Sequence, residues 1–362
     1  MFITIAHNRA SAVFAAVMMA FLCGCHTAPK APSKYTFFPP APSEPRVQFL
    51  TAFSSDTDFG RKTSFVEYLT GRPNLPAKVV KPYGLAVKPG EIRVCDSAIG
   101  VLEVFDLVQK QGRCFTPHGE GHLQTPINIS IDSDGTQYVA DTGRNQVLLF
   151  SKDDTYLGAM GGKDEMKPTD VAITPDRLYV TDLSHCAVRV YNKADRTLLF
   201  TIPRDKADPK AKLYQPTNLA LDGKGQLWIS DTGGFSVQVY DLEGNHLRSV
   251  GRQGVAPGFF ARPKGIAANR EGEVFVVDAA TQVVQVFDPE GRLLMYFGQP
   301  GASDAGQLCL PASVKVDYEN VKYFESLVAP GYQLEHLILV TSQFGGNKVN
   351  IYGFVHRQQD RK

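Results

Sequence analysis

Four side chains that carry oxygen donors occupy one place in a pattern that recurs along the chain, two residues after a proline. They are Asn128, Asp170, Asn218 and Ser313. Amide, carboxylate and hydroxyl oxygens are the ligands that a hard cation such as Ca²⁺ prefers. If the repeats place these positions side by side, the four residues form a candidate ligand or cation site. The alternative is a polar plug, in which the same groups hydrogen-bond to strand ends and to water.

A second set of possible metal ligands is Cys114, His118 and His122. Thiol and imidazole groups are donors that zinc prefers. The two histidines bracket a glycine-rich stretch typical of a connector, and no clear fourth ligand lies nearby, so a plain connector is the simpler interpretation. The chain contains no Gly-x-Ser-x-Gly, His-Glu-x-x-His, phosphate-loop or dinucleotide-binding motif.

The prolines that mark these positions occur six times. They are Pro82, Pro126, Pro168, Pro216, Pro263 and Pro311. Successive prolines are separated by 44, 42, 48, 47 and 48 residues. A period of about 40 to 50 residues, with several short strands in each repeat, is typical of β-propeller blades. The sequence therefore predicts an all-β, six-bladed propeller of four-stranded antiparallel blades.

Each repeat contains the strands that such a blade needs, with apolar residues in alternation and turn residues between the runs. In five repeats the second strand ends at an acid: Asp96, Asp141, Asp182, Asp231 and Asp278. An acid at a strand end normally caps backbone amides, so we expect these residues to be structural. The third strand ends on an aromatic residue in all six repeats, and we expect this residue to pack between blades. These aromatics are Phe105, Phe150, Tyr191, Tyr240, Phe287 and Tyr352.

The repeated motif resembles the NHL repeat. The resemblance lies in Pro-x-Gly-apolar-Ala-apolar, apolar-Val-x-Asp-Thr-Gly and Val-Gln-Val-Tyr/Phe-Asp, and it is clearest at residues 215–251 and 262–298. It covers residues 82–353 and implies six blades around a central channel, but no single activity. Six-bladed lactonase-like hydrolases have a metal at a comparable central Asn/Asp site. They also supply a glutamate for which this sequence shows no counterpart.

The sixth repeat departs from the others. Its second strand is expected near residues 337–341, after an insertion at 320–334, and Ser342 or Gln343 replaces the acid. Little chain remains for a fourth strand. Residues 46–53 resemble the fourth strands of other repeats, so we predict that they complete the last blade and close the ring. The insertion is either a contact loop with exposed aromatic side chains or an ordered plug against the sixth blade.

The N-terminus has the character of an export signal. An apolar stretch too short to span a membrane ends in Leu-Cys-Gly-Cys, which resembles a bacterial lipobox with Cys25 as the lipidated residue. We therefore expect a signal peptide at 1–24, a proline-rich lipidated tether at 25–45, the propeller at 46–354 and a polar tail at 355–362. Cysteine spacing excludes covalent haem attachment, which needs two residues between the cysteines.

The net charge argues against one class of partner. The formal net charge is +1, and it falls to zero without residues 1–24, which contain one arginine and no acid, so a nucleic-acid partner is not expected. We expect a non-catalytic scaffold that binds an envelope protein or glycan, held at the bilayer through acylated Cys25. The expected location is the outer membrane, with the propeller in the periplasm or at the cell surface. No cofactor is expected apart from possible Ca²⁺ in the channel, and the alternative function is a metal-dependent hydrolase or lyase acting there.

Overall fold

The computed structural model describes residues 34–59, 77–162, 165–205 and 207–358. The predicted signal peptide, Cys25 and the first part of the predicted tether lie outside the described residues. All of the strands belong to the unit Tyr35–Lys362. The prediction of an all-β propeller with six blades is confirmed.

The first three blades each contain four antiparallel strands in sequence order. Blade one consists of β3 (Pro82–Lys88), β4 (Glu91–Asp96), β5 (Val101–Asp106) and β6 (Gln111–Phe115). Blade two consists of β7 (Pro126–Ile131), β8 (Gln137–Asp141), β9 (Gln146–Phe150) and β10 (Tyr156–Met160). Blade three consists of β11 (Pro168–Ile173), β12 (Arg177–Asp182), β13 (Ala187–Asn192) and β14 (Leu198–Ile202).

Blades four and five repeat this order, and blade six does not. Blade four consists of β15 (Pro216–Leu221), β16 (Gln226–Asp231), β17 (Ser236–Asp241) and β18 (His246–Val250). Blade five consists of β19 (Pro263–Ala268), β20 (Val274–Asp278), β21 (Val283–Phe287) and β22 (Leu293–Phe297). Blade six consists of β25 (Pro311–Asp317), β26 (Tyr332–Ser342), β27 (Val349–Arg357) and β2 (Val47–Phe53), with β1 (Thr36–Phe38) added outside β2. A short parallel pair, β23 (Gln299–Pro300) and β24 (Gln307–Leu308), lies between blades five and six.

The inner strands form a closed circle. Each of β3, β7, β11, β15 and β19 contacts the inner strand of the next blade, and β25 contacts both β19 and β3. Hydrogen bonds join neighbouring inner strands at positions offset by one residue, from Asn128 to the Thr169 carbonyl and from Ser130 to the Val171 carbonyl. The inner strands therefore run parallel to one another where they surround the central channel.

The predicted closing strand is confirmed. β2 pairs antiparallel with β27, from Val47 opposite Phe354 to Phe53 opposite Val349. The N-terminal part of the chain thus supplies the fourth strand of the last blade. The sheet continues beyond this prediction, because Thr36–Phe38 pairs with β2 although the sequence assigned these residues to the tether. Packing explains the difference, since Phe38 lies against Tyr352 with ring centroids 6.3 Å apart.

The second strand of blade six begins earlier than expected, at Tyr332 and not near residue 337. Tyr332 pairs with Arg357 and Leu334 with Val355, so β27 also continues past the predicted end of the propeller at residue 354. The alternation of half-buried Tyr332 and buried Leu334 with an exposed residue between them is the pattern of a strand with one packed face.

The insertion before this strand is an ordered plug and not an open contact loop. Phe324 is buried in the core between blades six and one, and Tyr323 packs against the same cluster. The buried amide of Gln48 donates to the Leu327 carbonyl at 2.9 Å and accepts from the Ala329 N–H at 3.0 Å. Side-chain packing and this pair of hydrogen bonds hold the insertion against the strand that closes the ring.

The aromatic residues of the third strands pack between blades as expected. Phe105 of blade one lies 4.7 Å from Phe53 of blade six, measured between ring centroids. Tyr352 of blade six lies 4.9 Å from Phe297 of blade five in the same edge-to-face manner. These rings fill the spaces where neighbouring blades diverge from the channel.

The helices in the described part of the chain are short 3-10 turns. They span Asp56–Phe59, Gly119–Gly121, Val321–Tyr323 and Glu325–Leu327. Among these residues no helix has the length and apolar character needed to cross a bilayer.

Candidate functional site

The candidate oxygen donors lie near the start of the inner strands and are buried. Asn128, Asp170, Asn218 and Ser313 expose between 2 and 8% of their surface. The strand register shifts directly after the preceding proline in each of these blades, so each residue lies at a local irregularity. Such irregularities re-aim side chains at the ends of sheets.

Blade one has Gly84 at the equivalent position, and close packing explains why. A Cβ atom placed on Gly84 would lie 1.7 Å from Oδ1 of Asn128, which is far closer than any contact distance. The side chain of Asn128 therefore fills the space that a larger residue on blade one would need. Asn128 in blade two thus depends on the glycine retained in blade one.

Two of the four side chains bond to the next blade. The Asn128 amide donates to the Thr169 carbonyl at 3.1 Å. The Asp170 carboxylate accepts from the Leu219 N–H at 2.9 Å and from the Val171 N–H at 2.9 Å. Each side chain satisfies backbone groups where inner strands of adjacent blades meet, which is the arrangement expected of a polar plug.

Asn218 differs from its neighbours because its side-chain oxygen is buried and has no hydrogen-bond partner. Its amide lies beside Asp170 and stabilises the charged form of that carboxyl. A buried acceptor without a donor costs about 1–3 kcal/mol, so this oxygen remains available to a ligand.

Burial controls the electrostatics of this region. It raises the pKa of Asp170 to about 6, although hydrogen bonds from the backbone and the positive charge of Lys315 act in the opposite direction. Burial also lowers the pKa of Lys315, against the attraction of Asp170 and Asp317. The region therefore contains a carboxylate and an ammonium group of opposite charge in a poorly solvated environment.

The channel contains a cavity of about 240 Å³ farther along the inner strands. Backbone and mostly apolar side chains of blades two to six line it, from Ser130 in β7 to Val316 in β25. Lys315 is the one charged group among its described lining residues, and the four candidate residues do not line it. The cavity thus offers a single cation and no pair of carboxylates for acid–base catalysis.

The repeated acids cap the connectors, as predicted. Asp141 is fully buried and accepts from the N–H groups of Gln124 at 2.7 Å and Thr125 at 2.9 Å. Asp96, Asp231 and Asp278 bind the same two positions of their own blades. In blade six the hydroxyl of Ser342 accepts from the Cys309 N–H at 3.2 Å and takes over part of this role.

Asp182 of blade three has an additional cationic partner. Burial pushes its pKa up, but hydrogen bonds from Arg189 and the Lys167 N–H outweigh burial and leave the pKa below its ordinary value. The Arg189 Nε atom lies 2.6 Å from the carboxylate. This ion pair is part of the cap and leaves the carboxylate fully engaged.

The structure separates the second set of possible ligands. Cys114 donates to Glu103 at 3.3 Å, and burial raises the thiol pKa to about 12, so the thiolate that zinc needs is disfavoured. His118 and His122 are exposed on either side of a 3-10 turn. In the described ranges, the three do not form a group whose ligand atoms lie within 4.8 Å of one another.

Sequence reasoning missed a different cluster. Ligand atoms of Glu271, Glu335 and His336 do lie within 4.8 Å of one another, at the joint between blades five and six. Glu271 is 64 positions away from Glu335, and the repeated pattern does not indicate that the two residues meet. The adjacent Glu335-His336 pair was the only sequence signal that could have drawn attention to the site.

Exposed apolar side chains are unevenly distributed between the two faces of the ring. Loops between second and third strands and connectors into first strands lie on one face, which we call the loop face. The opposite face, with the hairpin turns and the insertion, is the turn face. Large apolar side chains exposed on the loop face are Val80, Ile99, Tyr214, Val255 and Phe344. On the turn face they are Val108 and Leu327.

No family model matches the sequence. Solved structures share the fold at low identity. A protein of unknown function from Bacteroides thetaiotaomicron has a TM-score of 0.60 and 14% identity, over 86% of this chain and 76% of that chain. An auxiliary nutrient binding protein from the same organism has a TM-score of 0.56 and 12% identity, over 76% and 69%.

A streptogramin B lyase structure is similar to a comparable extent. Its TM-score is 0.54 at 13% identity, over 77% of this chain and 95% of that chain. At such identities the likeness establishes a propeller fold alone, because one fold supports unrelated activities. The function therefore has to be inferred from this chain's own surfaces and side chains.

Proposed function

We propose that this protein is a lipid-anchored binding module, which holds a protein or glycan partner of the bacterial cell envelope on its loop face and carries out no chemistry itself. The observation that carries the proposal is the set of five exposed apolar side chains on that face. Ile99 and Phe344 belong to adjacent blades and are each about half exposed. Exposed apolar and aromatic groups on a rigid scaffold are typical of interaction surfaces.

The channel supports binding better than catalysis. Asn128 and Asp170 use their polar atoms to join neighbouring inner strands. Among the described residues that line the cavity farther along the inner strands, Lys315 is the one with a charged side chain. A hydrolase would need a nucleophile, a general base or a bound metal placed against a substrate. The described lining residues supply one cation and the Ser130 hydroxyl, which donates to the Val171 carbonyl at 2.5 Å.

The anchor is a second part of the proposal. The lipobox-like ending at Cys25 supports thioether lipidation, and several acyl chains are needed for durable attachment. The residue after Cys25 is histidine, which favours passage to the outer membrane. A propeller of similar fold has been described as a nutrient binding protein, and a binding role at an envelope surface is compatible with that example.

The test is crosslinking in intact cells followed by co-purification from membranes. If the loop face binds the partner, the double variant Ile99→Ser/Phe344→Ser should capture at least about ten times less crosslinked partner than wild type. Each side chain is expected to contribute on the order of 1 kcal/mol or more to binding. The matched control is Leu157→Ser/Leu294→Ser, which removes equally exposed side chains from outer strands. Equal capture by both double variants would contradict the proposal.

Cys25→Ser should move the protein to the soluble fraction, and an unchanged membrane fraction would contradict the anchor.

One observation favours a second candidate, a metal-dependent hydrolase or lyase at the channel. The unpartnered Asn218 oxygen lies next to the Asp170 carboxyl, and such oxygens suit Ca²⁺. For this function, Ca²⁺ should raise the melting temperature of the wild type and not that of Asp170→Ala. The absence of a shift in the wild type, or an equal shift in both proteins, would rule it out.

A further inference from the structure

Glu271, Glu335 and His336 come from two blades and meet at one point. Glu271 lies in the hairpin turn that joins β19 to β20 of blade five, whereas Glu335 and His336 lie in β26 of blade six. One oxygen or nitrogen atom from each lies within 4.8 Å of the others. The group is on the turn face, away from the channel residues described above.

A bulge in β26 explains how two consecutive residues contribute to one site. Side chains at successive positions of a regular strand point to opposite faces. The pairing of β26 with β27 shifts register between Leu334 and His336, so Glu335 lies at a bulge in the strand. Such a bulge re-aims side chains, and bulges are frequent beside functional sites.

His336 is the residue that ordinary packing does not explain. It has no exposed surface, and neither of its ring nitrogens has a hydrogen-bond partner. Its ring stacks on Phe354 at a centroid distance of 4.7 Å and lies 4.9 Å from the ring of Tyr318. A buried imidazole normally satisfies its N–H group, so an unpartnered one that faces carboxylates indicates a missing ligand.

The spacing matches that of metal ligands. The Nδ1 atom of His336 lies 3.5 Å from Oε1 of Glu335. Two ligands held about 2.1 Å from a tetrahedral Zn²⁺ ion are about 3.4 Å apart. The pair therefore needs little rearrangement to share an ion, and exposed Glu271 closes the third side.

The orientation of Glu271 also suits a metal ligand set. The hydroxyl of Tyr318 donates to Oε2 of Glu271 at 3.0 Å and orients that carboxylate. Metal-ligating carboxylates are commonly oriented by a hydrogen bond of this kind from a residue outside the ligand set.

We propose that Glu271, Glu335 and His336 bind one divalent transition-metal ion of the zinc type, with water in the remaining position, and that this ion fastens blade five to the blade that closes the ring. An imidazole with two carboxylates is a mixed nitrogen and oxygen set, which suits Zn²⁺ better than Ca²⁺.

The test is calorimetric titration of the full chain, purified in detergent, with Zn²⁺. Wild type should bind one ion at this site and gain thermal stability. Glu271→Gln alters an exposed side chain, and His336→Phe keeps an aromatic ring on Phe354 while removing both nitrogens. Each should weaken this binding on the order of tenfold or more. The matched control Glu290→Gln changes an exposed glutamate of the same blade and should bind like wild type.

Cobalt distinguishes this site from the cysteine and histidine residues elsewhere. Co²⁺ bound at Glu271, Glu335 and His336 should give visible bands without thiolate charge transfer, and Cys114→Ser should leave its affinity unchanged. Equal affinities in wild type, Glu271→Gln and His336→Phe would overturn the proposal. A thiolate–cobalt band that disappears in Cys114→Ser, with no other bound ion, would do the same.

Discussion

At the scale of single residues, the capping acids are buried, and backbone N–H groups supply the hydrogen bonds that their carboxylate oxygens need. Asp141 accepts from the N–H groups of Gly143 at 3.0 Å and Arg144 at 3.1 Å, in addition to the two connector amides. One carboxylate therefore fixes both the connector that enters the blade and the loop that leaves its second strand. Hydrogen bonds to a charged acceptor are worth about 1.5–3 kcal/mol each, and a buried amide left without one is costly.

Asp141→Ala should therefore lower the free energy of unfolding by about 3 kcal/mol or more, because several buried amides lose their acceptor. Urea denaturation monitored by circular dichroism measures the change. Asp153→Ala, at an exposed position in the same blade, is the control and should stay within about 0.5 kcal/mol of wild type. A similar small effect at Asp141 would mean that water replaces the carboxylate.

Asp170 should make stability depend on pH. Its pKa rises from 3.8 to about 6 on folding, so between these values the folded state holds more protons than the unfolded state. Stability contributed by this group is present below pH 4 and is lost as the pH rises through 6. Asp170→Asn cannot lose a proton, so its stability should rise relative to wild type by about 3 kcal/mol from pH 4 to pH 7.

Paired denaturation curves at each pH measure this difference. The comparison with the variant is needed because His336 acts with the opposite sign: its pKa falls to about 4 on folding, so its stability contribution is lost as the pH falls. A constant difference between wild type and Asp170→Asn across this range would show that Asp170 titrates normally in the folded state.

The residue patterns predicted the caps but not the cluster at Glu271. Five repeats place an acid at the end of the second strand, and recurrence makes such a position recognisable. Glu335 and His336 come together through a single bulge, which alternation of residue types does not encode. Likewise, the sequence predicted that Asn128 and Asp170 would lie at neighbouring strand starts. The polar-plug interpretation included hydrogen bonds to strand ends, but it did not specify that the bonded groups belong to the next blade, because that depends on local register shifts.

At the scale of elements, the insertion depends on β2 for its position. Gln48 is 1% exposed and bonds to both Leu327 and Ala329. On the other side, the buried Asn320 amide accepts from the Gly90 N–H at 2.7 Å. The insertion is thus held between the closing strand and a turn of blade one. Sequence analysis left its packing open, because exposed and buried aromatic residues look alike in a segment without repeat equivalents.

Gln48→Ala should loosen this segment without opening the ring. The loss of two buried hydrogen bonds costs about 1–3 kcal/mol, and amide exchange at Ala329 should accelerate by a factor of about ten or more. Hydrogen exchange measured by mass spectrometry gives the rate. Gln333→Ala, at an exposed position in β26, serves as the control. Unchanged protection at Ala329 would show that the apolar cluster alone holds the insertion.

At the scale of the whole molecule, closure by β2 is what makes the ring continuous. Deletion of residues 46–53 exposes the edge of β27 and removes Val47 and Phe53 from the core. We expect this deletion to abolish the single cooperative unfolding transition in thermal melts. Deletion of residues 35–42 removes β1 and leaves β2, so a cooperative transition should remain. An unchanged melt for the first deletion would contradict closure by this strand.

The whole-molecule architecture was the most predictable level. Six prolines at a nearly constant period determine the number of blades, and the missing fourth strand of the last repeat pointed to residues 46–53. Element ends were less predictable, because β1 and the extended β26 and β27 depend on pairings between distant segments. β1 lies inside the segment that was predicted to be a tether, because Phe38 packs against Tyr352 in a way that proline content alone did not suggest.

Entry of the chain through β1 and β2 has a mechanical consequence. Any tension on the polypeptide ahead of Thr36 is transmitted first to the short ladder between β1 and β2, and then to the ladder between β2 and β27, which is the seam of the ring. Resistance to a pulling force is set by the rate at which the loaded element ruptures and not by the stability of the whole fold. The seam is therefore the part of the ring that ruptures first under load, and its failure would release blade six before any other blade.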